Sequence, residues 1–272
     1  VSAPGITVAR PANGSRLKAL LLCDAGLRIT AGIAIVLFWE IAVRLWAPGY
    51  VARPSGIVMA VPRVVSNAAF WEAASITLSG VVQGLVIAFI AGTLVGAAIG
   101  RIRLFESLLQ PYLNGFFAMP MVAILPLVTL WFGYTGDARL ATVVFAAFFS
   151  IALNVADGAR SVPPEYIEVS RSFRGSPWSR LFDVILPSSV PYLLAGLRLA
   201  AGRALIGAIV AEFFAALPGL GYFILVNTRT FRHNDAFVAV AVLTIACVLF
   251  EFGLMRATKR FLPWYRRDEA GS

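Results

Sequence analysis

Three ionisable residues, Arg198, Arg203 and Glu212, interrupt one otherwise apolar stretch, and they are the side chains with most reason to do chemistry. An arginine at the centre of a membrane-spanning helix costs about 2.5 to 3.5 kcal/mol on insertion scales, so each charge needs a partner, water or a ligand. Arg203 lies 13 residues after Val190, about 20 Å along a helix that starts there, and so near mid-depth. It could meet an anionic solute, or it could pair with a carboxylate or carbonyl of a neighbouring helix. At about 100 degrees per residue, Arg198 and Glu212 share a face and Arg203 points away, so the three cannot line one route together. Conventional catalytic sets are missing. One histidine, His233, and two cysteines, Cys23 and Cys247, lack the clustered spacing of a metal site, a disulfide framework or a nucleophile with its base. His233 reads as an incidental loop residue. No Gly-x-x-x-x-Gly-Lys-Ser/Thr phosphate loop occurs, so the chain has no such means of binding ATP.

The surrounding elements are those of a membrane protein. Of 272 residues 59% are hydrophobic and 14% charged, with a mean hydropathy of +0.82, a balance foreign to a water-soluble domain. Apolar runs at 27–46, 73–100, 104–132, 140–155, 190–216 and 236–255 predict six spans. The net charge of +9 is dispersed between these runs and does not line one face, which argues against nucleic acid as a partner. Lys and Arg divide unequally between alternate loops. With the N-terminus inside, 15 fall on the inner side and five (Arg53, Arg63, Arg139, Arg229 and Arg232) on the outer. Both termini and the loop at 156–189 are therefore expected in the cytoplasm. Trp46, Tyr50, Trp264 and Tyr265 fit interfacial belts.

Within the spans, Pro111, Pro120 and Pro126 fall in the third, which must kink or break. Irregular backbone at membrane depth is tolerated where protein buries it or where it lines a cavity, so Met119, Pro120 and Met121 open a candidate pathway wall. Simple bending of a packed helix is the alternative. Gly92, Gly96 and Gly100 form a smooth stripe for close helix packing, within one subunit or across a dimer. Glu40 and Arg44, four residues apart, are expected to pair, and Glu251 to snorkel or pair with Arg256.

The loop at 161–187 carries the strongest pattern. Pro163 and Pro164 followed by Glu165 and Glu168 read as a helix start, and Gly175 and Pro177 as its stop, predicting about three turns from Pro164 to Gly175. Ile167, Ser170 and Phe173 or Arg174 then share a face. A helix this short and polar usually docks on something, because Phe173, Trp178, Leu181 and Phe182 are costly to leave in water; a solvated loop that contacts nothing is the alternative.

Glu168-Val-Ser170-Arg171-Ser-Phe173-Arg174-Gly175, followed by Val184-Ile-Leu186-Pro187, resembles the cytoplasmic EAA loop of binding-protein-dependent ABC importer permeases, in particular the nitrate, sulfonate and taurine group. Supporting segments run from Gln110 to Ile224: Met119-Pro120-Met121 with Leu125-Pro126, Leu130-Trp-Phe-Gly133, Leu153-Asn154 with Asp157-Gly158, Gly196-Leu-Arg198-Leu199, and Ala211-Glu212 with Gly219-Leu-Gly221-Tyr222; the tail at 261–264 is also similar. The resemblance implies an all-α, six-span fold like that of type I ABC importer permeases. It implies a cytoplasmic tail at 1–26, a permease domain at 27–262 and a second cytoplasmic tail at 263–272. The short helix would be a coupling helix that inserts into an ATPase subunit, carried by Glu165, Glu168, Ser170, Arg171, Phe173, Arg174, Gly175, Trp178, Leu186 and Pro187. The implied assembly is a homodimer in the bacterial inner membrane with two ABC ATPases, which bind the ATP and magnesium, and a periplasmic or lipid-anchored solute-binding protein. The chain itself would hold no cofactor. One departure stands out, since the glycine expected six residues after Glu168 is Arg174 here, and Gly175 follows it. An arginine resists the left-handed turn that glycine permits, so either Gly175 takes over that conformation or the loop ends differently. A secondary transporter or channel is the competing reading, but it predicts inverted repeats or acidic relays within the spans, and neither is evident.

Overall fold

The computed structural model describes residues 24–261, and every regular element among them is helical. The expected C-terminal tail, with Trp264 and Tyr265, and most of the expected N-terminal tail lie outside the described residues. Residues 24–26 already belong to the first helix, α1 (Asp24–Trp46). It is followed by α2 (Pro54–Val65), α3 (Ala68–Arg101), α4 (Arg103–Ala118), α5 (Met121–Phe132) and α6 (Gly136–Arg160). Then come α7 (Pro164–Ser172), α8 (Leu186–Ala215), α9 (Leu220–Arg229) and α10 (His233–Phe261). Among the described residues five helical segments are long and apolar enough to cross a bilayer, or six when α4 and α5 are counted as one broken span.

The core is built from α3, α6 and α8. Val81, Leu85 and Ala88 of α3 meet Val143, Ala147 and Ile151 of α6, and Ala200, Ala204 and Ala208 of α8 close the cluster. Without water to drive burial inside a membrane, small residues let backbones approach and gain dispersion contacts. The glycine stripe is one of these packing faces and lies within the subunit: a Cβ at Gly100 would sit 2.6 Å from the Ala156 carbonyl oxygen, and Gly92 and Gly96 face Ile151 and Ala152 in the same way. By contrast, α1 leaves Ile33, Ile35, Phe38 and Leu45 facing outward and is tied in through Glu40. Its carboxylate accepts from Arg44 at 2.5 Å, as the spacing predicts, and also from the Ser55 hydroxyl at 2.7 Å, joining α1 to α2.

Of the three prolines in the third span, only Pro120 breaks the helix. Pro111 and Pro126 sit inside α4 and α5. Pro120 forces its predecessor out of the helical region, so Met119 has ψ 132° and the two halves meet at 104°.

Several segments expected as loops are helical. Residues 47–71 contain α2, and 217–235 contain α9. His233 is the first residue of α10, half-buried with its ring 5.9 Å from that of Tyr50, and so is no loose loop residue. The second half of the long loop is helical too: Arg180–Ile185 forms a π-turn that runs directly into α8. Leu186 and Pro187 therefore open a long helix and do not end a loop. Glu251 pairs with Arg198 at 2.6 Å, joining α10 to α8, in place of the expected Arg256.

Candidate functional site

The described residues present three polar constellations along α8, beginning at the end of the bundle that carries α7. That helix has prolines at its start and Glu165 in its first turn, where the dipole favours negative charge. It buries none of its residues. Its end is a Schellman turn: Gly175 N–H donates to the Ser170 carbonyl at 2.9 Å and Arg174 N–H to the Arg171 carbonyl at 2.9 Å. Arg174 itself adopts the left-handed conformation, with φ 55°. Of the two alternatives left open by the sequence, Gly175 does not take over that conformation, because Arg174 adopts it at the expected position. Glycine is needed at 175 for a different reason, since a Cβ there would lie 2.7 Å from Ser170 Oγ and 2.8 Å from the Ser170 carbonyl oxygen it bonds.

The turn projects aromatic side chains into the open. Phe173 is 84% exposed and Trp178 70%, with Trp178 stacked on Phe182 at 6.1 Å. Tyr166 and Val169 extend the same apolar surface, while Glu165, Glu168 and Arg171 are exposed charges on the helix. The chain behind this surface is anchored. Ile185 is buried, Leu181 and Leu186 pack on the core, and Ser189 Oγ donates to the Ile185 carbonyl at 2.7 Å. Pro187 is exposed in the first turn of α8. The arrangement is a rigid stalk bearing an uncovered apolar tip.

At the break between α4 and α5 a cleft of about 350 Å³ opens between Met119, Met121, Phe145, Phe149 and Arg203. The Arg203 guanidinium carbon lies 3.8 Å above the Phe117 ring centre and its Nη1 donates to the Phe117 carbonyl at 3.2 Å. The cation is thereby held at the end of α4 by one carbonyl and a ring face, with no carboxylate among the described residues to neutralise it. Arg203, Met119 and Met121 line this one cleft together. Arg198 and Glu212 are not part of this cleft. Arg198 points to Glu251.

Glu212 is fully buried at the opposite end of α8. It accepts from Thr77 Oγ1 at 2.8 Å, from Gly221 N–H at 2.7 Å and from Arg139 Nη1 at 3.4 Å. Thr77 Oγ1 in turn accepts from Leu220 N–H at 2.8 Å, and Arg139 Nη1 also donates to the Pro218 carbonyl at 3.0 Å. The first N–H groups of α9 lack partners within their own helix, and a carboxylate there satisfies both the hydrogen bond and the dipole. Gly219, at φ 155°, lets the chain turn tightly around the Glu212 side chain. Thr77, Arg139 and Phe117 were missed from sequence. Their partners lie 135, 73 and 86 residues away, and no local spacing announces them.

Comparison with known proteins agrees with this architecture. Residues 84–267 match the family of binding-protein-dependent transport system inner membrane components. The taurine transport system permease protein TauC of Escherichia coli is 28% identical over 243 residues, covering 87% of this chain and 88% of that protein. The formylaminopyrimidine transport permease protein ThiX of Halalkalibacterium halodurans is also 28% identical, over 87% of this chain and 94% of its own. Among solved structures, an inward-facing MetNI methionine ABC transporter shares the fold, with a TM-score of 0.60 at 20% identity, over 71% of this chain and 95% of that one. The family is one of transport permeases, whose ATP hydrolysis is carried out by partner ATPases and whose solutes arrive on a binding protein. This chain belongs to the inner-membrane permease subunits of binding-protein-dependent ABC importers.

Proposed function

We propose that this subunit forms, as a homodimer with two ATPases, the route for a small solute delivered by a binding protein, and that α7 is where nucleotide-driven motion enters. The observation that carries the reading is the uncovered aromatic tip, Phe173 and Trp178, on an anchored stalk. An apolar ridge of this kind on a polar helix is costly in water and gains by entering a groove on another protein. The stalk continues through the π-turn into α8, which carries Arg203, so displacement of the tip is transmitted to the cleft by a continuous helix. With this end in the cytoplasm, as the charge distribution favours, the tip meets the ATPases, which hold the ATP and magnesium. Arg203 and the α4–α5 break supply the route with one positive charge among apolar walls, which suits a small anion such as a sulfonate or an organic acid. The names of the relatives, taurine and a formylaminopyrimidine, agree with a small polar solute.

A photo-crosslinking residue placed at Phe173 tests the docking. With the ATPase co-expressed, the expected result is a permease–ATPase adduct that is absent when the same residue replaces the outward-facing Phe38 of α1. No adduct from position 173 would overturn it. For the route, uptake by Arg203→Ala at matched expression is expected to fall at least tenfold, and unchanged affinity and rate would remove Arg203 from it.

A further inference from the structure

A second cleft, of about 590 Å³, lies at the α7 end of the bundle, between the last turns of α3 and the chain leading into α8. Arg101, Arg171 and Arg180 all line it, and no carboxylate among the described residues does. Two of these arginines are incompletely satisfied: Nε and Nη2 of Arg101 and Nε of Arg180 are buried with no hydrogen-bond partner among the described residues. Guanidinium donors without acceptors are costly, and three arginine side chains lining one cleft make a site for an anion with several oxygens. The nearby carboxylate of Asp183 is turned elsewhere, accepting from Ser179 Oγ at 2.6 Å.

The rest of the lining says what kind of anion. From Arg101 the cleft follows α3 back to Leu94 and Thr93. Eight residues of helix correspond to about 12 Å of depth into the apolar part of the bundle. Leu94, Ala97 and Ile185 make its walls, and Trp178 stands among the lining residues. Thr93 Oγ1 is likewise buried without a partner among the described residues. A free phosphate would leave the deep apolar part empty, and an acidic protein loop would bring backbone groups into it with nothing to bond. An amphiphile with a phosphate head and an acyl tail satisfies both ends, in keeping with basic pockets between spanning helices that hold anionic lipid headgroups.

We propose that this cleft is a binding site for an anionic phospholipid, its phosphate held by Arg101, Arg180 and Arg171 and its glycerol and first acyl chain lying along α3. Arg171 and Trp178 belong to the segment proposed above to dock on the ATPase, whereas Arg101 and Arg180 lie outside α7, so the test below removes only that second pair. A lipid seated there would touch both α3 and the base of the coupling stalk, so anionic lipid content would set the stiffness of that joint.

The test uses the full permease purified with its ATPase in phosphatidylcholine micelles. Adding phosphatidylglycerol is expected to raise the thermal midpoint by several degrees, inorganic phosphate at equal concentration to leave it unchanged, and the R101Q/R180Q double variant to lose more than half of the rise. A rise with inorganic phosphate would assign the site to a soluble anion. An undiminished rise in the double variant, or loss of the ATPase from that variant in phosphatidylcholine alone, would also overturn the proposal. Should the double variant not fold, brominated phosphatidylglycerol is expected to quench the fluorescence component lost in Trp178→Phe at least twofold more than brominated phosphatidylcholine does. Equal quenching would contradict a lipid site there.

Discussion

At one end of α8, Glu212 is 0% exposed and joins three elements through Thr77, Arg139 and the start of α9. At the other end, the chain entering α8 comes from a helix with no buried residue, and its largest side chains face outward. The buried end is held by side-chain charge and hydrogen bonds between distant parts of the sequence; at the exposed end a backbone turn closes α7, and only the base of the stalk, through Leu181, Ile185 and Leu186, reaches the core. A helix clamped at its buried end and carrying an exposed tip on an anchored stalk at the other is suited to transmit a push received at the tip. It also means that damage at the two ends should differ in kind, with loss of the fold at one and loss of a partner at the other.

Removing the carboxylate should have the largest effect. Glu212→Ala leaves Thr77, Gly221 N–H and Arg139 without their acceptor, and breaking a buried pair on one side costs about 3 to 5 kcal/mol. Folded permease recovered from membranes should fall sharply, whereas Glu212→Gln, which keeps an acceptor oxygen, should fall less. Normal recovery of Glu212→Ala would erase the contrast between the ends. A smaller and local effect is expected of Gly175→Ala, because the new Cβ would collide with Ser170 and force apart the hydrogen bond closing the turn. Overpacking of this kind costs about 1 to 3 kcal/mol. Amide exchange at position 175 should accelerate about tenfold or more with the overall thermal midpoint unchanged, and a global loss of stability would show that α7 is not separable from the bundle. Arg174→Gly should act in the opposite direction and least. It relieves about 1 to 2 kcal/mol of left-handed backbone strain, offset in part by the added freedom of glycine before folding, and exchange at 175 should slow a few-fold.

The free end was far more legible in the sequence than the buried end. Prolines, first-turn acids and a stop at Gly175 mark α7 within a dozen residues, and the structure differs mainly in its last turn, where Arg174 accepts the strained conformation because Gly175 must approach Ser170. Apolar periodicity likewise marked the long helices, although it set the start of α8 at Val190 and not Leu186, since Pro187, Ser188 and Ser189 interrupt the apolar run. Proline placement predicted a break in the third span but could not choose among three positions, as only tertiary packing decides which proline is accommodated within a helix. Glu212 was legible as an anomaly and not as a clamp. A lone buried charge announces that it needs partners; which partners depends on helices brought together from 135 residues away. The pairing of Arg198 with Glu251 was beyond reach for the same reason.

Co-purification separates the two ends most directly. Permease carrying Phe173→Ala and Trp178→Ala, matched to wild type in amount and thermal midpoint, is expected to retain less than a tenth of the co-expressed ATPase. Full retention of the ATPase by that variant would contradict the assignment of α7 as the coupling element.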